Sequence, residues 1–259
     1  MPALPNTIAA DGFDPRQFSP ASYEATVAEL RSGMVALTSR LTEVLPAVDD
    51  TAGRWWVPDA LADGLRWCAQ RLLTLGRDLL DTLGELLEGA GAPVLFFVRA
   101  HEWVSQVGPP ASDVAATIHP NALRATLTWS GEAAATYRAA VAGQSPAAAQ
   151  VQAVSGVVAA ALCGCAAAGL AFYVALGLIL AKFLTATVAA IAALGSVVLS
   201  WAGLLLIVEE AAVNTGMVVS AVAGLTAAQG AAALALVNLT GAARSRTAFP
   251  RGHWPVGTA

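Results

Sequence analysis

Charged side chains are scarce in this sequence. They make up 12% of the 259 residues, and 56% of the residues are hydrophobic, whereas about a quarter of a soluble domain is charged. The formal net charge is only −4, so we expect no nucleic-acid partner. The charges are also unevenly placed. Residues 1–150 hold ten Arg and sixteen acidic residues, whereas residues 151–259 hold one Lys, three Arg and two Glu.

The sequence also has few residues that could carry chemistry. Its three cysteines, Cys68, Cys163 and Cys165, form no C-x-x-C pair, which excludes a disulfide framework and a zinc pattern. We interpret them as small buried residues. No nucleophile elbow, zinc-protease, phosphate-loop or dinucleotide motif is present. We therefore predict a non-enzymatic protein with no catalytic or metal site, no cofactor and no small-molecule substrate.

The first residues do not resemble a cleavable signal peptide. Residues 1–22 contain four prolines and two aspartates, and no basic start is followed by an apolar stretch. We expect residues 1–19 to be an extended lead. A protein with this start would leave the cytoplasm by a route other than the general secretory pathway.

Helical periodicity is what the sequence does contain. Apolar residues at steps of three and four predict a helix from about residue 20 to 45 and a second from about 58 to 88. The intervening residues 46–53 are expected to form a loop. Gly108-Pro109-Pro110 should close an apolar segment, and residues 111–119 should form a linker.

The stretch Trp129-Ser130-Gly131 interrupts this helical pattern. Gly131 has the backbone freedom that a reversal needs, and Trp129 offers a large apolar surface to seal the corner. A helix should follow, since Glu132 suits a first turn, with Tyr137 on it. The residues predict a structural corner formed by Trp129, Gly131 and Tyr137.

This corner resembles the W-x-G motif of the ESAT-like helical-hairpin proteins that type VII secretion systems export. The resemblance covers about residues 58–152 and rests on Trp129, Gly131 and Tyr137 with the alanines between them. It implies export without a signal peptide and a partner of the same helical type, or self-association. The export signal of these proteins is a tyrosine followed four residues later by an acidic residue. Here Val141 stands four residues after Tyr137, so the resemblance also implies export with a partner that carries a complete signal.

Almost all charges vanish after Arg138. Lys182 and the pair Glu209 and Glu210 are the only charges between Ala139 and Ala243. The uncharged runs exceed the roughly 20 residues needed to cross a hydrocarbon core. We therefore expect a membrane partner, or close packing on other helices.

Two arrangements fit these runs. Three spans could turn at Lys182 and at Glu209–Glu210. Alternatively, two long helices of about 147–194 and 197–243 could form a hairpin that turns at Gly195-Ser196. The hairpin would set Lys182 opposite Glu209 as a buried ion pair, and pairing removes much of the cost of a buried charge. We favour the hairpin because it explains both charge interruptions.

The sequence thus predicts an all-α protein, a bundle of long helices with a W-x-G corner and a C-terminal hydrophobic hairpin. Its predicted regions are residues 1–57 (lead and first helix), 58–152 (W-x-G-like), 153–243 (hairpin) and 244–259 (basic tail). We expect a secreted or cell-envelope protein of a type VII system that packs with a partner or inserts in a membrane. A resident integral membrane scaffold or transport-machinery component, or the delivery portion of a toxin system, would also fit.

Overall fold

The computed structural model of the chain describes residues 20–195 and 201–257. These residues form α-helices and short helical turns and contain no strand, which confirms the all-α prediction. The predicted lead, residues 1–19, lies outside the described residues. The helices are α1 Pro20–Ala52, α2 Asp59–Glu88, α3 Ala92–Glu102, α4 Gly108–Thr117, α5 Ala125–Thr128, α6 Glu132–Val141, α7 Gln144–Gly195 and α8 Trp201–Ala243.

The chain divides into two compact units, and each unit combines segments that are distant in sequence. Among the described residues, the first contains residues 20–91, 167–195 and 201–226, and the second contains residues 92–166 and 227–257. Because α7 and α8 each cross from one unit to the other, the unit boundaries fall inside continuous helices.

Helix α1 continues past the predicted loop. It contains Pro46 and ends at Ala52, although an internal proline removes a backbone hydrogen bond. The apolar stripe runs on through this point, with Val44 and Val48 both fully buried. Burial of the last turns on this stripe offsets the lost hydrogen bond, so the prediction of a loop from residue 46 was wrong.

Helices α1 and α2 form an antiparallel hairpin in the first unit. Helix α2 confirms the predicted helix over 58–88, and its leucine stripe is largely buried. The two helices approach closely where Gly76 faces α1, because a methyl group at Gly76 would lie only 2.7 Å from Cδ1 of Leu41. A side chain at position 76 would therefore require the Leu41 side chain to shift.

Two tyrosines join α1, α2 and α7 at the other end of this hairpin. The Tyr23 hydroxyl donates to the carbonyl of Ala90 at 2.6 Å, and the Tyr173 hydroxyl donates to that of Leu86 at 2.8 Å. The two rings meet edge to face, with centroids 5.9 Å apart. Since the last carbonyls of a helix lack intrahelical donors, these hydroxyls help to close the C-terminal end of α2.

The second unit contains α3 to α6, joined by short irregular links. A π-helical turn, Trp103–Val107, leads directly into α4, so the predicted linker over 111–119 was wrong for most of its length. Pro109 and Pro110 occupy the first turn of α4. Because the backbone before them is already helical, their missing N–H groups leave carbonyls of the π-helical turn without backbone donors. The Ser145 hydroxyl then donates to the carbonyl of Ala115 at 2.8 Å and fixes α7 to the end of α4.

The C-terminal tail also packs within the second unit. The Gln144 side-chain amide donates to the carbonyl of Pro255 at 3.1 Å, and Pro255 is buried. The backbone at Gly257 also lies close to Gln144, because a methyl group at Gly257 would lie 2.8 Å from Nε2 of Gln144. The tail is thus held against the start of α7.

Helices α7 and α8 contain 52 and 43 residues. Lys182 lies inside α7, and Glu209 lies inside α8, so the turns that a three-span arrangement needs at these charges do not form. Helix α7 ends at Gly195, one half of the predicted turn, and Ser196 lies outside the described residues. The described residues thus form two long helices, of which α7 ends at Gly195 and α8 begins at Trp201.

Candidate functional site

The structure brings together the three residues of the predicted W-x-G corner. Gly131 precedes α6 with φ of 101° and ψ of −175°, a backbone conformation that is essentially restricted to glycine. The reversal places the Trp129 ring beside that of Tyr137, with centroids 5.7 Å apart. An Arg138 nitrogen also lies 3.4 Å from the Trp129 carbonyl oxygen. The corner is therefore held by one aromatic pair and one long hydrogen bond.

The corner is open to solvent. Trp129 is 41% exposed, and Ser130 and Gly131 are exposed as well. Leu127, two residues before the tryptophan, is 75% exposed. The expectation of a tryptophan that seals a buried corner is thus met only in part, because its ring covers Tyr137 on one side and faces solvent on the other.

The helices on either side of the corner are short. Helix α5 has four residues and α6 has ten, whereas the resemblance to hairpin proteins implies a long helix before the motif. The long antiparallel hairpin of this chain is formed by α1 and α2 instead, and its turn carries Trp55 and Trp56. Trp55 is 95% exposed. In the sequence, the adjacent tryptophans before Pro58 were the signal for this exposed turn, which was not among the predicted sites.

The second candidate site is the surface of the long apolar helices. Within the part of the chain that the structure describes, two segments are long and apolar enough to cross a membrane by length and composition, Glu132–Ala192 and Gly216–Ala243. They differ in how much protein covers them. In the most apolar window, 39% of the residues of the first segment are buried, but only 6% of those of the second. Of the two segments, Gly216–Ala243 in α8 therefore has the larger uncovered apolar surface.

Exposed apolar side chains lie on both flanks of one partly covered face of α8. Successive residues of an α-helix are about 100° apart, so residues two positions apart lie on nearly opposite sides. Met217 and Val219 are 38% and 66% exposed, and Leu234 and Leu236 are 67% and 55% exposed. Between these exposed residues lies one covered face, on which Val218, Leu225, Ala232 and Leu239 repeat every seven residues and are buried or half-buried. One face of α8 is therefore partly covered by protein, and its other apolar side chains are not.

The hydroxyl groups of this segment are satisfied within α8 itself. Ser220 donates to the carbonyl of Gly216 at 3.1 Å, Thr226 to that of Val222 at 2.9 Å, and Thr240 to that of Leu236 at 2.9 Å. Bonds of this kind remove the need for water around a hydroxyl. The segment carries no ionised side chain, since the nearest are Glu210 before it and Arg244 after it.

Lys182 and Glu209, the predicted ion pair, are both exposed. Among the described side chains, the ion pairs all lie in α1 to α3 and the α1–α2 turn, and none joins these two residues. The buried pair is therefore not found. An exposed ammonium or carboxylate keeps its hydration, so each of the two charges is tolerated without the other.

The remaining titratable groups do not converge on a site. Within residues 20–195 and 201–257, no cluster of three or more metal-ligating side chains occurs. Cys68 is buried as predicted, and burial raises the pKa of its thiol, which disfavours the reactive thiolate. Cys163, by contrast, is exposed, so the expectation that all three cysteines are buried was wrong. Comparison with protein-family models, curated proteins and solved structures finds no match.

Proposed function

We propose that this chain is a non-enzymatic helical protein of a type VII secretion system that packs with a partner and inserts α8 into a membrane. The observation that carries the membrane part is the uncovered apolar surface of Gly216–Ala243. A helix that is apolar all round is stable in a protein core or in lipid, and protein covers very little of this one. At 1.5 Å per residue, its 28 residues reach about 42 Å, more than the roughly 30 Å of a hydrocarbon core.

Charges flank this segment on both sides. Glu209 lies on one side, and Arg244 and Arg246 lie on the other, all of them exposed. Basic residues next to a span favour the cytoplasmic side. We infer that α8 crosses the membrane with its C-terminal end and the basic tail on the cytoplasmic side.

The secretion part of the proposal is supported by the corner. Trp129, Gly131 and Tyr137 form an ordered reversal that presents an indole and Leu127 to solvent. An exposed aromatic side chain on a rigid turn is the kind of residue that anchors a protein interface. We propose that this surface contacts the partner or the export machinery.

Fractionation of the producing cells tests the proposal. Intact protein in the culture supernatant, lost when the type VII system is inactivated, would support export. Recovery only in carbonate-resistant membranes would support insertion of α8. If that recovery were unchanged by the inactivation, it would refute export and identify a resident integral membrane protein. Delivery of a second, toxic chain by the supernatant protein would identify the delivery portion of a toxin system. Recovery only in the soluble cytoplasm would refute both export and insertion.

Matched variants separate the two parts of the proposal. Trp129→Ala should lower export, whereas Trp254→Ala should not, although the two tryptophans are similarly exposed at 41% and 43%. Leu234→Arg should hinder membrane insertion, because an arginine costs about 2.5–3.5 kcal/mol at the centre of a span and a smaller amount nearer its end. Leu234→Ala should insert normally. Equal export of both tryptophan variants would remove the corner from the proposal.

A further inference from the structure

A single amide lies at the midpoint of the apolar segment of α8. Gln229 follows Gly216 by 13 residues and precedes Ala243 by 14. Its side chain is exposed. Within the described residues it makes no hydrogen bond, whereas Thr226, one turn earlier, donates to the carbonyl of Val222. Gln229 therefore differs from Ser220, Thr226 and Thr240, whose hydroxyls donate to carbonyls of the same helix.

This inference rests on the proposed membrane insertion of α8. In a spanning helix, the midpoint of the segment lies near the centre of the hydrocarbon core. An amide without a partner is costly there, because no water is available to replace the missing hydrogen bonds. The position therefore requires a second hydrogen-bonding group at the same depth in the membrane.

A second copy of the same chain supplies such a group. A glutamine amide has both a carbonyl acceptor and N–H donors, so two of them are complementary to each other. Copies of one chain insert in the same direction, because the same flanking charges orient each of them. A two-fold axis along the membrane normal then places every residue of α8 level with its own counterpart. We infer that α8 pairs with α8 of a second copy through hydrogen bonds between the two Gln229 amides.

The neighbours of Gln229 allow the two helices to approach. Ala233 lies about 40° from Gln229 around the helix, one turn later. It is small and exposed, and small residues at such positions permit close contact between membrane helices. Asn238, the next amide, lies about 180° away and about 13 Å further along α8. It faces away from a Gln229 interface and lies close enough to the membrane surface to reach the headgroup region.

The pairing is tested with the full chain in phosphatidylcholine vesicles. Donor- and acceptor-labelled copies are mixed, and energy transfer is measured as the protein-to-lipid ratio is lowered. Gln229→Leu should raise the dissociation constant about 3- to 30-fold, given the strengths of hydrogen bonds between membrane helices. The matched variant Asn238→Leu should change it less than about 2-fold, and Gln229→Asn, which keeps the amide, should retain most of the pairing.

Cysteine crosslinking checks the face of the helix independently. In a background without Cys68, Cys163 and Cys165, Ala233→Cys should form a dimer on oxidation. Ala231→Cys should not, because position 231 lies about 160° from Gln229 around the helix. Both positions are exposed alanines of α8, so the two variants differ only in the direction that the sulfur faces.

The outcomes separate this inference from the proposed function. A chain that alkaline carbonate extracts from the vesicles would refute insertion, and the pairing with it. A chain that resists extraction, but whose Gln229→Leu variant associates as the unchanged chain does, would refute the pairing and leave insertion intact. Equal crosslinking of the Ala233→Cys and Ala231→Cys chains would also refute a defined Gln229 interface.

Discussion

Replacing Tyr23 by phenylalanine would test how the first unit is held together. The Tyr23 side chain is 6% exposed, and its hydroxyl donates to the carbonyl of Ala90, itself a buried residue, at 2.6 Å. Phenylalanine keeps the ring, and with it the edge-to-face contact with Tyr173. The substitution therefore removes one buried hydrogen bond that joins the start of α1 to the residues after α2, and little else.

The expected loss follows from burial of the acceptor. A carbonyl that loses a donor in a buried place costs about 1–3 kcal/mol, so Tyr23→Phe should lower the free energy of unfolding by about this amount. Tyr173→Phe should cost a similar amount, because its hydroxyl donates to the Leu86 carbonyl. Since both substitutions keep the ring contact and the two hydroxyls donate to different carbonyls, the double variant should be additive within about 0.5 kcal/mol.

The Tyr23 hydroxyl also predicts a pH dependence. Burial, and in second place the neighbouring Tyr173, raise the pKa of Tyr23 well above its usual value. In the unfolded chain this hydroxyl ionises near pH 10, whereas in the folded chain its raised pKa keeps it protonated to a higher pH. Its contribution to stability is therefore complete below about pH 10 and is lost as the pH rises further. The difference in stability between the unchanged chain and Tyr23→Phe should shrink above that pH.

The assay is urea unfolding in mild detergent, followed by circular dichroism, from pH 7 to pH 11. Tyr137→Phe is the matched control, because the Tyr137 hydroxyl makes no hydrogen bond within the described residues and its side chain is half-buried. A Tyr23→Phe chain as stable as the Tyr137→Phe chain at pH 7, with the same decline at alkaline pH, would refute the reasoning.

Three further predictions concern the corner and the two lone charges. Gly131→Ala should lower the free energy of unfolding by about 1–3 kcal/mol, because alanine is strained at the positive φ of this position. Gly84→Ala, inside α2 with open space around it, should raise the free energy of unfolding by about 0.5–1 kcal/mol. Thermal unfolding of the two variants measures both changes, and equal shifts in melting temperature would contradict the prediction. Trp129→Ala should cost about 0.5–1.5 kcal/mol, the value of an aromatic pair, and a loss above about 3 kcal/mol would indicate a fully buried ring. The stability changes caused by Lys182→Met and Glu209→Gln should add within about 0.5 kcal/mol in a double-mutant cycle, since both side chains are exposed. A larger coupling energy would indicate that the two charges form a buried ion pair.

Features set by short stretches of the sequence were predictable. The leucine stripe of α2 repeats every three to four residues, so its helical bounds and buried face follow from periodicity alone. The uncharged run after Arg138 likewise predicts long apolar helices, because composition determines that property. The reversal at Gly131 follows from the one residue type that adopts its backbone angles without strain.

Features that depend on contacts between distant residues were decided only by the tertiary structure. Helix α1 passes through Pro46 because burial of Val48 outweighs a local preference to stop. Trp129 is 41% exposed because only one side of its ring packs against Tyr137. Nothing in the neighbouring sequence determines what lies on the other side of the indole ring. The bond from Tyr23 to Ala90 joins groups 67 residues apart. Local sequence sets backbone preferences and the apolar pattern, but exposure and long-range hydrogen bonds depend on which surfaces meet, and only the folded chain determines that.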